Sequence, residues 1–152
     1  MGSFIFFLLI CFVISFCLAK LEINIEGVGG WAANLPTWRL SPDHILSKIF
    51  AGGRGLTGYH VWLHSFIIAQ LHAIYLFQPF TISIELTLAG LLFCIWIVED
   101  FLWFVLNPAY GLKKFNKENI PWHPKWIGPF PVDYYTLFPM GIFLFCLAQV
   151  LA

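Results

Sequence analysis

His60 and His64 stand one helical turn apart, and their types and spacing are the first in this chain that could do chemistry. An H-x-x-x-H pair on a helix brings both imidazoles to one point. With two carboxylates it forms a ligand set that Zn or Fe accepts. The matching carboxylates are Glu99 and Asp100, adjacent within the long apolar stretch from Thr81 to Leu106, which also carries Glu85. At about 100° per residue, Glu85 and Glu99 lie about 40° apart on a helix, with Asp100 about 60° from Glu85 on the other side. The three acids therefore share one sector. A charge at the centre of a membrane helix costs at least ~2.5–3.5 kcal/mol, so that sector must face a partner rather than lipid.

The elements that position these residues follow from composition. The chain has 152 residues, 60% hydrophobic and only 11% charged, with a mean hydropathy of +0.82. Soluble domains run near ~25% charged and could not hide so much apolar surface at this size. The expected fold class is an all-α integral membrane protein, one domain with four transmembrane helices and two long structured cytoplasmic loops. The spans are expected at about 3–19, 58–76, 81–106 and 134–152, and the loops at 20–57 and 107–133. The first apolar stretch reads as a retained span, because it lacks a charged leader and an A-x-A cleavage site. Pro139 and Gly141 predict a kink in the last span.

Every Lys and Arg falls in the two long loops, from Lys20 to Arg54 and from Lys113 to Lys125. The positive-inside rule then places both loops in the cytoplasm and both termini outside. Formal net charge is zero and no basic run lies outside the loops, so nucleic acid is not an expected partner. Cys11, Cys17, Cys94 and Cys146 all sit in apolar runs and read as small hydrophobes, not as disulfides or zinc ligands.

Within the first loop, Leu21, Ile23 and Ile25 alternate with Glu22, Asn24 and Glu26, which predicts a short extended piece. Ser41-Pro42-Asp43 predicts a helix start, with Ser41 as the cap and an amphipathic helix running to Phe50. Trp31 and Trp38 suit the headgroup level. The five prolines between Asn107 and Pro131 exclude a regular helix and predict a rigid, folded-back loop.

The four-residue link from Phe77 to Phe80 makes spans two and three an antiparallel hairpin. His60 and His64 lie within two turns of its cytoplasmic end, as do Glu99 and Asp100, so the four residues meet at similar depth. His72 lies nearer mid-membrane. His44, Asp43 and His123 can reach the same mouth from the loops.

The blocks EGVGGWAANLPTWR, EDFLWFVLNPAYGLKKF, IPWHPKW and PVDYY resemble an uncharacterised family of small multi-pass bacterial membrane proteins. The likeness covers most of the chain after Lys20. It implies a bacterial inner-membrane home and no particular chemistry, so no functional residue is carried over from it.

The residues themselves support a metal site of His60, His64, Asp100 and Glu99. The carboxylate left over acts as general base, and His123 and Arg39 serve the substrate. A site opening at the cytoplasmic leaflet favours a lipid or another amphiphile, with metal-assisted hydrolysis as the reaction. Haem is not expected, because His60, His64 and His72 share one helix. A nucleotide is not expected either, because Gly52-Gly53-Arg54-Gly55 lacks the lysine and hydroxyl spacing of a phosphate loop. The competing expectation is a non-enzymatic subunit or scaffold. Its histidines and acids merely neutralise one another, and its Trp- and Pro-rich loops hold a protein partner or a second copy.

Overall fold

The computed structural model describes residues 2–152. Helix α1 spans Gly2–Glu26, the short α2 Ile45–Phe50, α3 Gly58–His72, α4 Ile82–Leu106 and α5 Val132–Leu151. A 3-10 turn, Ala73–Leu76, extends α3, and a second one covers Leu112–Lys114. The strands β1, Trp126–Ile127, and β2, Phe130–Pro131, pair antiparallel across Gly128-Pro129. This small hairpin gives the proline-rich segment its folded-back form.

Three helices, α1, α4 and α5, are long and apolar enough to cross a membrane. The chain was expected to have four such spans. The expected second one is split between α3, which at 15 residues reaches only about 22 Å, and the 3-10 turn after it.

Helix α4 is the mast of the bundle. Thr81 caps its start, its hydroxyl accepting from the Ile84 amide at 3.1 Å. Pro108 stops it, since the residue before a proline is pushed out of helical geometry. The released Asn107 then ties two segments together, donating from Nδ2 to the Gly27 carbonyl at 2.8 Å and accepting from the Ala109 amide at 3.0 Å.

On one flank α1 runs parallel to α4. Phe7 and Cys11 pack with Leu91, Cys94 and Ile95, and Ala19 packs with Trp103 and Phe104. The buried Ser15 hydroxyl donates to the Ile95 carbonyl. On the other flank α5 runs antiparallel, crossing at Gly90 and Gly141 with backbone nearly touching backbone. Helix α3 meets α4 at few positions, so the expected hairpin is joined at its link and splayed along its length. The outer faces of α1 and α3 leave large apolar residues exposed, among them Ile5, Phe6, Trp62 and Phe66. Such faces suit hydrocarbon, not water.

Three local expectations change. Residues 21–26 continue α1 instead of forming an extended piece, because Glu22 and Glu26 turn into the bundle and keep their backbone in the helix. Helix α2 begins at Ile45, capped by His44, whose Nδ1 accepts from the Leu46 amide, while Ser41 closes a turn with Asp43. Trp31 is drawn inward over α3, whereas Trp38 stays exposed.

Both long connections gather at the end of the bundle where α1 and α4 finish and α3 and α5 begin. Every Lys and Arg of the chain lies at that end. So does the polar site.

Candidate metal centre

Glu22 and Glu26 are four residues apart on α1 and therefore share a face. They are only 8% and 7% exposed, and His60, in the first turn of α3, is 5% exposed. One ligand atom from each of the three lies within 4.8 Å of the others, so the group could hold a metal ion. His60 Nε2 stands 3.9 Å from Glu26 Oε1. Its other ring nitrogen, Nδ1, is 2.6 Å from the hydroxyl of Thr57, the buried N-cap of α3. When Nδ1–H donates to Thr57, the Nε2 lone pair points toward the glutamates. Metal-binding imidazoles are oriented in this way by a partner on the far nitrogen.

The segment 27–57 closes over this group. The Trp31 indole stacks on the His60 imidazole, with ring centroids 4.0 Å apart, and the Arg54 guanidinium lies 4.2 Å above the indole. Trp31 Nε1 donates to the Gly55 carbonyl at 2.8 Å. Trp31 and Ala32 adopt left-handed backbone, φ 47° and 52°, without being glycine. Such conformations cost about 1–2 kcal/mol per residue and persist only where the surroundings impose them. Here the Ala32 amide donates to Glu26 Oε1, and the Ala32 carbonyl accepts from Arg39 Nη2. Arg39 Nη1 also donates to the Trp31 carbonyl, and the Arg39 backbone bridges to Thr57. Arg39, expected to serve a substrate, is thus spent on holding the 31–32 backbone.

The remaining acids border the group. Glu99 feels the charges of Glu22, Asp100 and Glu26, and its buried Oε1 has no hydrogen-bond partner among the described residues. The Tyr59 hydroxyl, among the same glutamates, also lacks one. Asp100 faces the other way. It stands 3.2 Å from His123 Nε2 and accepts from the Tyr134 hydroxyl at 2.5 Å. His123 in turn takes the Trp126 indole N–H on its carbonyl. Asp100 thereby pins the proline-rich connection and the start of α5 to α4. At Arg54, outside the spanning helices, burial pushes the guanidinium below the usual arginine range, opposed by Asp100, Asp133 and Tyr134.

The four expected ligands are therefore not gathered as one set. His60 joins Glu22 and Glu26. His64 lies behind it, ring centroids 6.1 Å apart, with an edge against Trp96. Glu99 borders the group, and Asp100 pairs with His123. His72 and Glu85 form a separate pair, 3.4 Å apart, toward the opposite end of the bundle. Asp43 lies exposed beside Lys48. Sequence reasoning missed Glu22, Glu26, Thr57 and Arg54. The signal for the glutamates was their four-residue spacing, the same spacing that drew attention to His60 and His64.

Two carboxylates and an imidazole, all buried, make a ligand set of mixed oxygen and nitrogen that suits Zn, Fe or Mn. A helical bundle with three helices long and apolar enough to cross a membrane, and a His/carboxylate group at its loop-bearing end, is the class that fold and site define. No family model matches this chain, and comparison with curated proteins and with solved structures finds no similar one.

Proposed function

We propose that this protein is a membrane-embedded metalloenzyme: Glu22, Glu26 and His60 hold a divalent metal, Zn or Fe, and the site hydrolyses a lipid or other amphiphile at the cytoplasmic leaflet. The observation that carries this reading is the convergence of three buried ligand atoms within 4.8 Å. Buried carboxylates without a counter-charge are costly, and a divalent ion supplies one.

The bound metal would polarise the scissile group and lower the pKa of a water. Glu99, whose Oε1 lacks a hydrogen-bond partner among the described residues, would accept a proton from that water, and the Tyr59 hydroxyl would donate to a developing oxyanion. Asp100 acts as a positioning residue through His123 and Tyr134, and Arg39 as one through Ala32.

The topology in this proposal has four crossings. Helix α3 and its 3-10 turn together reach about 30 Å, which matches the hydrocarbon thickness, and Leu76 and Phe77 at its far end are exposed. The concentration of Lys and Arg at the loop-bearing end supports a cytoplasmic position for that end. The resemblance of its sequence blocks to bacterial membrane proteins favours the inner membrane as its location in this proposal. The scaffold reading draws on a different feature, the exposed apolar face of α2 at Ile45, Ile49 and Phe50, which could meet a protein partner.

Elemental analysis of protein purified in mild detergent without a metal-binding tag tests the proposal. About one metal per chain is expected in the wild type, close to none in Glu26→Gln or His60→Ala, and unchanged loading in His64→Ala. Metal-free wild type, or His60→Ala that keeps its metal, rejects the centre.

A further inference from the structure

Among the basic residues at the loop-bearing end, Arg54 is largely buried and its partners do not account for its charge. Its side chain is 16% exposed, and its nearest carboxylate, Asp133 Oδ2, is 3.8 Å from Nη2, beyond hydrogen-bond length. Nε donates to the Ala51 carbonyl at 2.9 Å. The four N–H groups on Nη1 and Nη2 have no acceptor among the described residues, although a guanidinium stays charged at all physiological pH.

We infer that the outer fork of Arg54 receives a phosphate headgroup, so that the site's ligand is a phosphate-bearing amphiphile. Three further observations lead there. The Trp31 indole lies between the guanidinium and the His60 imidazole, so a headgroup on the fork sits at the rim of the group, across the indole from His60. The residue facing the fork carries no side chain: a Cβ at Gly52, φ 57°, would stand 4.0 Å from Arg54 Nη2 and 4.0 Å from Asp133 Oδ2, so the space beside the fork is left open. The rim just before it is apolar, with Ile49 and Phe50 exposed where acyl chains would lie.

Phosphate fits better than a fatty carboxylate. The planar fork takes two oxygens side by side, and a phosphate keeps further oxygens for water and neighbouring donors, whereas a carboxylate has none left. The inference rests on the proposed metal centre for any chemistry after binding, but the headgroup contact stands on Arg54 itself.

The test uses the full chain in mild detergent, with metal content recorded for every preparation. Isothermal titration compares dihexanoyl phosphatidic acid, dihexanoylglycerol and inorganic phosphate. Saturable binding of the phosphatidic acid is expected, with no response to the neutral glyceride and much weaker binding of inorganic phosphate. Arg54→Ala should weaken phosphatidic acid binding by about 30-fold, and Arg54→Lys by less, because lysine keeps the charge and loses the fork. Asp133→Asn should tighten binding severalfold by removing the competing carboxylate.

That last variant separates a binding role from a structural one. If Arg54 served only to pair with Asp133, Asp133→Asn would bind no better than wild type, and the inference falls. It falls also if Arg54→Ala binds as well as wild type, or if the neutral glyceride binds equally. Equal affinity for inorganic phosphate makes the ligand a soluble anion and overturns the amphiphile. Should Arg54→Ala not fold, Arg54→Lys and Asp133→Asn decide. A metal-loaded wild type that ignores the lipid overturns this inference alone. A metal-free one that binds through Arg54 overturns the metal centre alone.

Discussion

Gly90→Val is expected to separate α4 from α5 and to lower stability by about 3 kcal/mol, at the upper end of the usual cost of overpacking. A Cβ at Gly90 would stand 2.6 Å from the Gly141 carbonyl oxygen and 3.1 Å from the Phe145 amide nitrogen. Both neighbours are backbone and cannot turn aside like the end of a flexible side chain. In hydrocarbon the loss cuts deeper, because helices associate there through close packing rather than through escape from water. Gly141 makes the reciprocal contact, its own Cβ position lying 2.7 Å from the Gly90 carbonyl oxygen. The Ser83 hydroxyl bond to the Ala148 carbonyl, which closes the far end of the same interface, would be strained as α5 moves off. Thermal unfolding in detergent, followed by near-ultraviolet circular dichroism, reads the effect. Gly2→Ala is the control, since a side chain there meets nothing within 4 Å. A Gly90→Val protein that melts with the wild type would mean that the crossing relaxes without loss.

Asp100→Ala is expected to cost about 3 kcal/mol and to free the proline-rich connection. The His123 side chain is 3% exposed and meets the carboxylate through Nε2. Its other nitrogen, Nδ1, is buried with no partner among the described residues. Removing Asp100 leaves both ring nitrogens without a hydrogen-bond partner and the Tyr134 hydroxyl without an acceptor. Breaking one side of a buried pair costs about 3–5 kcal/mol, and the partial exposure of Asp100 brings the figure to the low end. Asp100→Asn keeps an acceptor for Tyr134 and a polar neighbour for His123, so about 1 kcal/mol is expected. Limited proteolysis between Phe115 and Pro131 distinguishes them: rapid cleavage in the alanine variant, near wild-type resistance in the asparagine one. Equal resistance in all three proteins would show that the aromatic packing of Phe115, Trp126 and Phe130 holds the connection by itself.

Much of the scaffold was legible from hydrophobic runs and their punctuation. Helix α4 was expected at 81–106 and observed as Ile82–Leu106, because a threonine cap and an Asn-Pro stop are strong local signals. Helix α5 was expected from about 134 and starts two residues earlier, at Val132, directly after Pro131. Helix α1 was cut short at residue 19, where Lys20 and the alternation of Leu21 to Glu26 look like an exit from the bilayer. The backbone went on being helical because its acids found a buried place, and that place is built by residues far away in the chain. The same reason hid the site. Glu26 meets Ala32 through a loop whose left-handed residues carry no glycine signal, and Thr57 orients His60 through a cap whose importance shows only with the glutamates in place. Pairing acids with histidines by depth alone reached His60 and stopped there. The residues that complete the group are local to α1, and no periodicity in α3 or α4 points to them.

The strained pair Trp31-Ala32 has a bearing on how this sequence could evolve. Ala32 contributes an amide for Glu26, a carbonyl for Arg39 and, as side chain, only one buried methyl. Glycine would keep both groups and sit in the left-handed region at no steric cost. Under selection for heat tolerance alone, Ala32 is a position free to drift toward glycine. Trp31 is not, because its indole joins Arg54 to His60 and glycine has nothing to put there. Neighbouring residues with the same backbone burden thus answer to different pressures, one to the stability of the fold and the other to the work of the site.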